Sequence, residues 1–188
     1  TQVLSLMLLA SSCSSKSQPE LQGTERAALT GTIYYAVDRG HDDPPGLRAL
    51  SLPKQQTSAL EGLDGAFVYG AAPQGKTLAF TRADDVYLAQ PDGSSDRSLV
   101  VGDGIDWYPR FSPDGAWVLY ESARNSFRDL YKVSVDGKKT VRLTDNYEGN
   151  FDGTWSPDGS QIAFASSRAG TLDLWIMNAD GSEPKRLT

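Results

Sequence analysis

Apolar segments in this chain are short, and Gly, Pro and Asp separate them from one another. Runs such as residues 78–80, 117–120 and 162–164 are only a few residues long and carry β-branched and aromatic side chains. Short runs of this kind between turn-forming residues are typical of β-strands. Long segments with the periodicity of an amphipathic helix are absent from the sequence. The pattern therefore predicts an all-β protein.

One turn motif recurs at nearly constant spacing. Residues 111–115 (FSPDG) and 155–159 (WSPDG) are 44 residues apart, and a weaker copy at 71–75 (AAPQG) lies 40 residues before the first of them. In a type I turn, Ser accepts a hydrogen bond at the first position, Pro presets φ at the second and Gly tolerates the last. Each copy precedes a strand-like run, so the motif predicts a turn that leads into a strand.

Three further landmarks hold a spacing of 44 residues in every repeat. They are an Asp before an apolar and an aromatic residue, an Asp-Gly pair, and a closing Leu. Their positions are Asp85, Asp129 and Asp173; Asp92, Asp136 and Asp180; and Leu99, Leu143 and Leu187. The Asp-Gly pairs fit tight hairpin turns between strands. A period of about 40 to 45 residues predicts β-propeller blades of four antiparallel strands each.

The repeats divide the chain into four units, at about 31–62, 65–101, 105–144 and 149–188. The first unit is weaker, has no clear first strand and contains an insertion at 38–45. We therefore expect about three full blades and one partial blade. An open array of this kind would leave apolar surface of its last blade partly uncovered, with Trp155 and Trp175 among the exposed residues.

The succession of Trp-Ser-Pro-Asp-Gly, Ile-Ala-Phe, Ser-Arg, Asp-Leu-Trp, Asp-Gly and Arg-Leu-Thr resembles the WD-like repeat of the TolB-like β-propeller family. The resemblance covers residues 65–188 well and 31–62 weakly. It implies a propeller of six blades, so residues 31–188 are expected to be a fragment of a six-bladed or larger propeller. Related repeats form the propeller of prolyl oligopeptidase-type serine peptidases. The motif specifies a fold and leaves the function open.

The N-terminal segment has the character of a signal peptide. Residues 3–10 (VLSLMLLA) are apolar and uncharged, too short to cross a bilayer but as long as a signal-peptide hydrophobic region. The residues from Leu9 to Cys13 resemble a bacterial lipobox. We therefore interpret 1–12 as a signal peptide truncated at its start, Cys13 as the lipidated residue and 13–30 as a tether; the alternatives are a plain secretory signal or a stray apolar N-terminus. A non-acidic Ser14 implies sorting to the outer membrane.

Composition excludes several classes of function. The chain has 18 basic and 24 acidic residues, a formal charge of −6, and an acidic domain repels nucleic acid. The single histidine, His41, lies in the insertion, and the sequence has no Gly-x-Ser-x-Gly nucleophile motif. Asp42 and Asp43 are expected to be solvated rather than to bind calcium, and a His/Cys cluster for zinc is lacking. The sequence predicts no catalytic residue, no metal and no cofactor.

The segments between the blades supply the binding candidates. They combine carboxylates with aromatic residues, a mixture that suits recognition surfaces, although ordinary solvated loops are the alternative. The channel-mouth candidates are Asp106, Trp107, Tyr108, Tyr147, Asn150 and Asp152. Asp106 and Asn150 occupy equivalent positions 44 residues apart and are expected to supply polar groups at the mouth of the channel.

A second set of charged residues recurs in each repeat. An arginine follows the second strand of each blade and an aspartate begins the third: Arg82 and Asp85, Arg124 and Asp129, Arg168 and Asp173. A role repeated in every blade favours architecture over binding. We expect each arginine to pair with its own aspartate across the hairpin or to bind loop carbonyls.

These observations predict a non-enzymatic lipoprotein of the bacterial cell envelope. Cys13 would anchor it to the outer membrane on the periplasmic side, and the propeller would bind an envelope protein or a glycan. The alternative is the propeller portion of a prolyl oligopeptidase-type serine peptidase whose catalytic domain lies beyond residue 188.

The lipoprotein interpretation predicts that Cys13 carries fatty acid. When the full-length gene is expressed in a Gram-negative host with a clickable fatty acid, wild type should take up the label and Cys13→Ala should not. Stable anchoring needs more than one acyl chain, because a single chain binds a membrane only marginally. Equal labelling of the two proteins would exclude lipidation at Cys13.

Overall fold

The computed structural model describes residues 31–37, 46–52, 54–125, 127–145 and 148–188. In these residues the chain forms β-strands and no helix. The strands make four separate antiparallel sheets, and strands that follow one another in sequence are neighbours in each sheet. The predicted all-β architecture is confirmed. The described residues also contain no helix long and apolar enough to cross a membrane.

Each sheet corresponds to one repeat, so each sheet is a blade. The first blade has three strands and the other three blades have four strands each. The strands are β1 (Gly31–Val37), β2 (Gly46–Leu52) and β3 (Gln56–Ala59); β4 (Phe67–Ala71), β5 (Leu78–Arg82), β6 (Asp85–Ala89) and β7 (Arg97–Val100); β8 (Asp106–Phe111), β9 (Trp117–Ser122), β10 (Asp129–Ser134) and β11 (Thr140–Arg142); and β12 (Asn150–Trp155), β13 (Gln161–Ser166), β14 (Asp173–Asn178) and β15 (Lys185–Arg186).

The Ser-Pro-Asp-Gly segments form the turns between the first and second strands of their blades. In the third blade the backbone N–H of Gly115 donates to the carbonyl of Ser112 at 2.8 Å. The Ser112 hydroxyl accepts from the N–H of Trp117 at 2.9 Å and donates to Asp114. Gly115 has a φ of +72°, a value that L side chains resist. The predicted turn is confirmed, and it joins two antiparallel strands.

Apolar clusters lie between consecutive blades, because successive side chains of a strand point to opposite faces of a sheet. In β5, Leu78 and Phe80 pack against the first blade, whereas Ala79 packs against the third. In β9, Tyr120 packs against the second blade and Leu119 against the fourth. A blade with a neighbour on each side therefore buries both faces, which explains why its strands are continuous apolar runs.

The uncovered face of the fourth blade carries different residues from those expected. Trp155 and Trp175 pack against the cluster between the third and fourth blades. Leu174 on the opposite face is 54% exposed, whereas the equivalent Leu130 of the third blade is completely buried. The two tryptophans are partly exposed, as expected, but they lie on the face that packs against the third blade, and an aliphatic side chain occupies the uncovered face.

The Asp-Gly turns should matter more for stability than the acidic segments between blades. Gly137 has a φ of +76°, so Gly137→Val should lower the free energy of unfolding by roughly 1–3 kcal/mol through backbone strain. Asp103 is exposed, so Asp103→Ala should change it by less than about 0.5 kcal/mol. Urea unfolding of the two variants beside wild type checks this order, and a larger loss in Asp103→Ala would contradict it.

Candidate binding site

The first strands of three consecutive blades, β4, β8 and β12, line a common groove of about 260 Å³. Tyr69 of β4, Arg110 of β8 and Thr154 of β12 all contribute to its wall. The three strands begin at the same end of the molecule, and β8 and β12 begin beside Asp84 and Arg128 of the blades before them. We call this end the mouth. It consists of the described residues at the starts of these strands, in the segments that lead into them and in the hairpin turns around Asp84 and Arg128.

Asp106 and Asn150 begin β8 and β12 and are buried, with exposed fractions of 1% and 0%. Their backbone N–H groups donate to the carbonyls of Asp84 and Arg128 in the preceding blades, both at 2.8 Å. Burial raises the pKa of Asp106. These side chains were expected to supply polar groups at the mouth, and each is enclosed where two blades meet.

Two of the three recurring arginines cover these buried groups. Arg124 Nη2 donates to both carboxylate oxygens of Asp106 at 3.1 and 3.2 Å, and Arg168 Nη2 donates to Asn150 Oδ1 at 2.8 Å. Their Nε atoms bond the hydroxyl of the serine that ends the second strand. Arg82 bonds Asp96 and the carbonyl of Gly62 instead. The expected pairing of these arginines with Asp85, Asp129 and Asp173 is therefore corrected. The alternative expectation, a bond to a loop carbonyl, holds only for Arg82.

Each of these guanidinium groups also lies over aromatic rings of its own blade. Arg82 is 4.6 Å from the ring centroid of Tyr87, Arg124 is 5.0 Å from that of Tyr131, and Arg168 is 4.8 Å from that of Trp175. Such cation–π contacts add about 0.5–1 kcal/mol at exposed sites. The repetition indicates that the arginines are part of the architecture of the mouth.

Asp129 organises a polar network between the third and fourth blades. Its Oδ2 accepts from Arg142 at 2.6 Å, and its Oδ1 accepts from the Thr144 hydroxyl at 2.8 Å and from Asn150 Nδ2 at 3.1 Å. Thr144 in turn accepts from the N–H of Leu130 at 2.9 Å. The network explains why an aspartate at the start of the third strand recurs together with the closing Arg-Leu-Thr.

Trp107, Tyr108 and Asp152 lie at bulges in the first strands of their blades. β8 shifts register between Trp107 and Arg110, and β12 between Phe151 and Thr154. Tyr108 and Asp152, which lie within the bulges, have φ values of 52° and 53°, which residues other than Gly seldom adopt. These residues were predicted to lie in loops between blades, but they begin strands. The sequence did not show this because the bulge interrupts the alternation of side chains along the strand. Bulges re-aim side chains beside functional sites.

Trp107 and Tyr108 are partly exposed and Asp152 is exposed, so these three reach the surface of the mouth. Tyr147 and Cys13, as well as His41, lie outside the described residues. A binding role for the six candidates stays a prediction.

Two charged residues of the mouth were missed. Arg128 lies 4.2 Å from the ring centroid of Trp107 and 5.7 Å from that of Phe151. Its Nη1 is 3.6 Å from Oε2 of Glu121, which is only 1% exposed. Glu121 Oε1 accepts from the N–H of Asp152 at 2.6 Å, and burial raises the pKa of Glu121 to about 7. A carboxylate inside the apolar run WVLYES was the sequence signal for this pair.

The comparisons with known proteins agree with this architecture. Over 83 residues the chain is 35% identical to the TolB homolog of Chlorobium luteolum, a match that covers 43% of this chain and 19% of that protein. TolB of Acinetobacter baumannii superposes with a TM-score of 0.70 at 22% identity, over 81% of this chain and 40% of that one. A TolB candidate from Agrobacterium tumefaciens superposes with a TM-score of 0.72 at 22% identity, over 88% of this chain and 67% of that one. The fold is that of a TolB-like β-propeller. No family model matches the chain.

The chain is also similar to proteases. Over 72 residues the chain is 36% identical to tricorn protease homolog 1 of Streptomyces coelicolor, over 38% of this chain and 7% of that protein. One solved prolyl endopeptidase superposes with a TM-score of 0.62 at 12% identity, over 84% of this chain and 27% of that one. The matched segments span less than a third of the curated relatives' own length.

Charge at the mouth of this TolB-like propeller is unevenly neutralised. Arg82, Arg124 and Arg128 form ion pairs with Asp96, Asp106 and Glu121. In the described part of the chain, the exposed carboxylates of Asp84, Asp103 and Glu148 form no ion pair. The described residues hold no group of three or more His, Cys, Asp or Glu side chains placed to bind a metal. The surface therefore offers carboxylates and aromatic rings.

The buried Glu121 makes stability depend on pH. The folded protein keeps this proton up to about pH 7, whereas the unfolded chain releases it near 4.5. The folded state therefore binds more protons between these values and loses stability as pH rises through them. Glu121→Gln removes the effect and keeps an oxygen that can accept from Asp152.

The free energy of unfolding of Glu121→Gln relative to wild type should therefore be higher at pH 8 than at pH 4.5, by an amount on the order of 3 kcal/mol. Urea unfolding at both pH values measures the difference. The exposed Glu148→Gln is the matched control and should show little change. A difference between Glu121→Gln and wild type that is the same at both pH values would contradict the assignment.

Proposed function

We propose that this chain is a non-enzymatic lipoprotein of the bacterial cell envelope whose TolB-like propeller binds a protein or glycan partner at the mouth. The observation that carries the proposal is the pair of strained bulges at the starts of β8 and β12. Backbone strain persists only where the surrounding structure enforces it, and it clusters at functional sites. These bulges hold Tyr108 and Asp152 at the surface beside the partly exposed Trp107.

The chemistry of the mouth supports binding. Aromatic residues that are partly exposed and partly held by packing are the usual anchors of protein interfaces. Trp107 is held by Arg128, and the ring of Tyr108 is 5.1 Å from the ring of Tyr69 in an edge-to-face arrangement. Both rings are therefore positioned before a partner arrives, which lowers the entropic cost of binding.

The location rests on two features. The chain is similar to TolB proteins, and the lipobox-like segment that ends at Cys13 would anchor it on the periplasmic side of the outer membrane. The polar residues 14–30 would then separate the propeller from the bilayer and leave the mouth accessible to other envelope components. The proposal requires no metal and no cofactor.

A second candidate function is favoured by the similarity to proteases. The tricorn protease homolog and the prolyl endopeptidase are both similar to this chain. In that function residues 31–188 would be part of the propeller of a serine peptidase, and the catalytic residues would come from another part of the protein.

Photocrosslinking in the natural host tests the binding proposal. p-Benzoylphenylalanine at Tyr108 of the full-length gene product keeps an aromatic ring at the bulge. The same residue at Lys138, an 83% exposed position on a hairpin turn far from the mouth, is the matched control. We expect a discrete crosslinked species from position 108 that is lost when Asp152 is replaced by Lys, and none from position 138.

A crosslink from position 138 alone, or none from position 108 in cells grown under several conditions, would contradict binding at the mouth. The peptidase alternative is checked with the same purified protein, by hydrolysis of a fluorogenic proline-containing peptide. Turnover that a serine-directed fluorophosphonate abolishes would establish the alternative and remove the non-enzymatic assignment.

A further inference from the structure

A second cavity, of about 290 Å³, opens at the mouth between the second and third blades. Three aromatic side chains line it: Phe67 and Tyr69 of β4 and Trp107 of β8. Phe67 is 48% exposed, and Trp107 is partly exposed. Two carboxylate residues, Asp84 and Asp106, complete the lining together with Arg82 and small residues. The cavity thus combines aromatic rings with negative charge.

The positive charge nearest to this cavity is already engaged. Arg82 is paired with Asp96 and lies over the rings of Tyr87 and Phe80. Arg124 similarly covers Asp106, the buried carboxylate of the lining. Among the described residues that form the cavity, therefore, no cation is left to neutralise Asp84.

Asp84 is held at the cavity by its backbone. The backbones of Arg82 and Asp85 are register partners at the ends of β5 and β6, so Ala83 and Asp84 form the two-residue turn of the hairpin, with φ values of 50° and 67°. Turns of this geometry favour Asn and Gly. The carbonyl of Asp84 accepts the N–H of Asp106 at 2.8 Å, which fixes the turn against the third blade. The exposed carboxylate is thereby kept at the rim of the cavity.

We propose that this cavity binds a cationic side chain, the ammonium of a lysine or the guanidinium of an arginine, presented by a protein partner. Aromatic rings attract such a group through their faces, most strongly when water is excluded, and a carboxylate bonds it with charge assistance. The cavity is at the lower end of the size of small-molecule sites, which suits one long side chain. The inference rests on the proposed binding function and selects a protein rather than a glycan as the partner.

The test uses the full chain labelled with 5-fluorotryptophan, which gives one ¹⁹F resonance for each of its four tryptophans. The resonance of Trp107 is assigned by its loss in Trp107→Phe. The probes are Nα-acetyl-lysine methylamide and the same compound acetylated at Nε, which is neutral. We expect saturable movement of the Trp107 resonance with the charged probe, and at least tenfold weaker binding of the neutral one.

Two matched variants separate the cavity from general attraction to an acidic surface. Asp84→Asn keeps a residue suited to the left-handed turn and should weaken the binding of the lysine probe at least threefold. Asp103→Asn removes another exposed charge of the mouth, outside the cavity, and should leave binding unchanged. Unchanged resonances of the other three tryptophans in both variants show that the fold is intact.

Equal effects of the two variants, equal binding of the neutral probe, or movement at a tryptophan other than Trp107 would each overturn the inference. These outcomes are distinct from failure of the proposed function. A crosslink at position 108 without binding of the lysine probe would leave a partner at the mouth but remove the cationic side chain. Lysine binding without any crosslink would confirm the cavity and contradict the proposed function.

Discussion

The structure depends on the polar junction where the first strand of one blade meets the hairpin of the blade before it. Because interior blades bury both faces in apolar clusters, the polar groups at their ends are buried as well and need partners. The backbone N–H of Asn150 bonds the carbonyl of Arg128, and its side chain bonds Asp129 and Arg168. Asp106 occupies the equivalent position one blade earlier.

This junction also determines what the mouth can offer. Arg124 and Arg168 cover buried groups and Arg82 is paired with Asp96, so aromatic rings and unpaired carboxylates make up much of the exposed chemistry. The bulges that follow Asp106 and Asn150 turn Tyr108 and Asp152 outward. Architecture and recognition thus occupy adjacent positions of the same strands.

The repeated features of the fold could be predicted from the sequence, because turn chemistry and the 44-residue spacing are local properties. The Ser-Pro-Asp-Gly and Asp-Gly turns are examples. The junctions could not be predicted, since they join residues from different blades. Arg124 bonds Asp106 rather than Asp129, and periodicity alone does not distinguish these partners. Glu121 and Arg128 escaped notice for the same reason, because their contacts with Asp152 and Trp107 exist only after folding.

A double-mutant cycle between Asp129 and Asn150 tests the junction most directly. Asp129→Ala, Asn150→Ala and the double variant are compared with wild type by urea unfolding. The two side chains belong to different blades and meet through one hydrogen bond of 3.1 Å, so the account predicts a coupling free energy of about 1 kcal/mol or more. Losses of stability that add to within about 0.3 kcal/mol would show that the blades are not joined through this network.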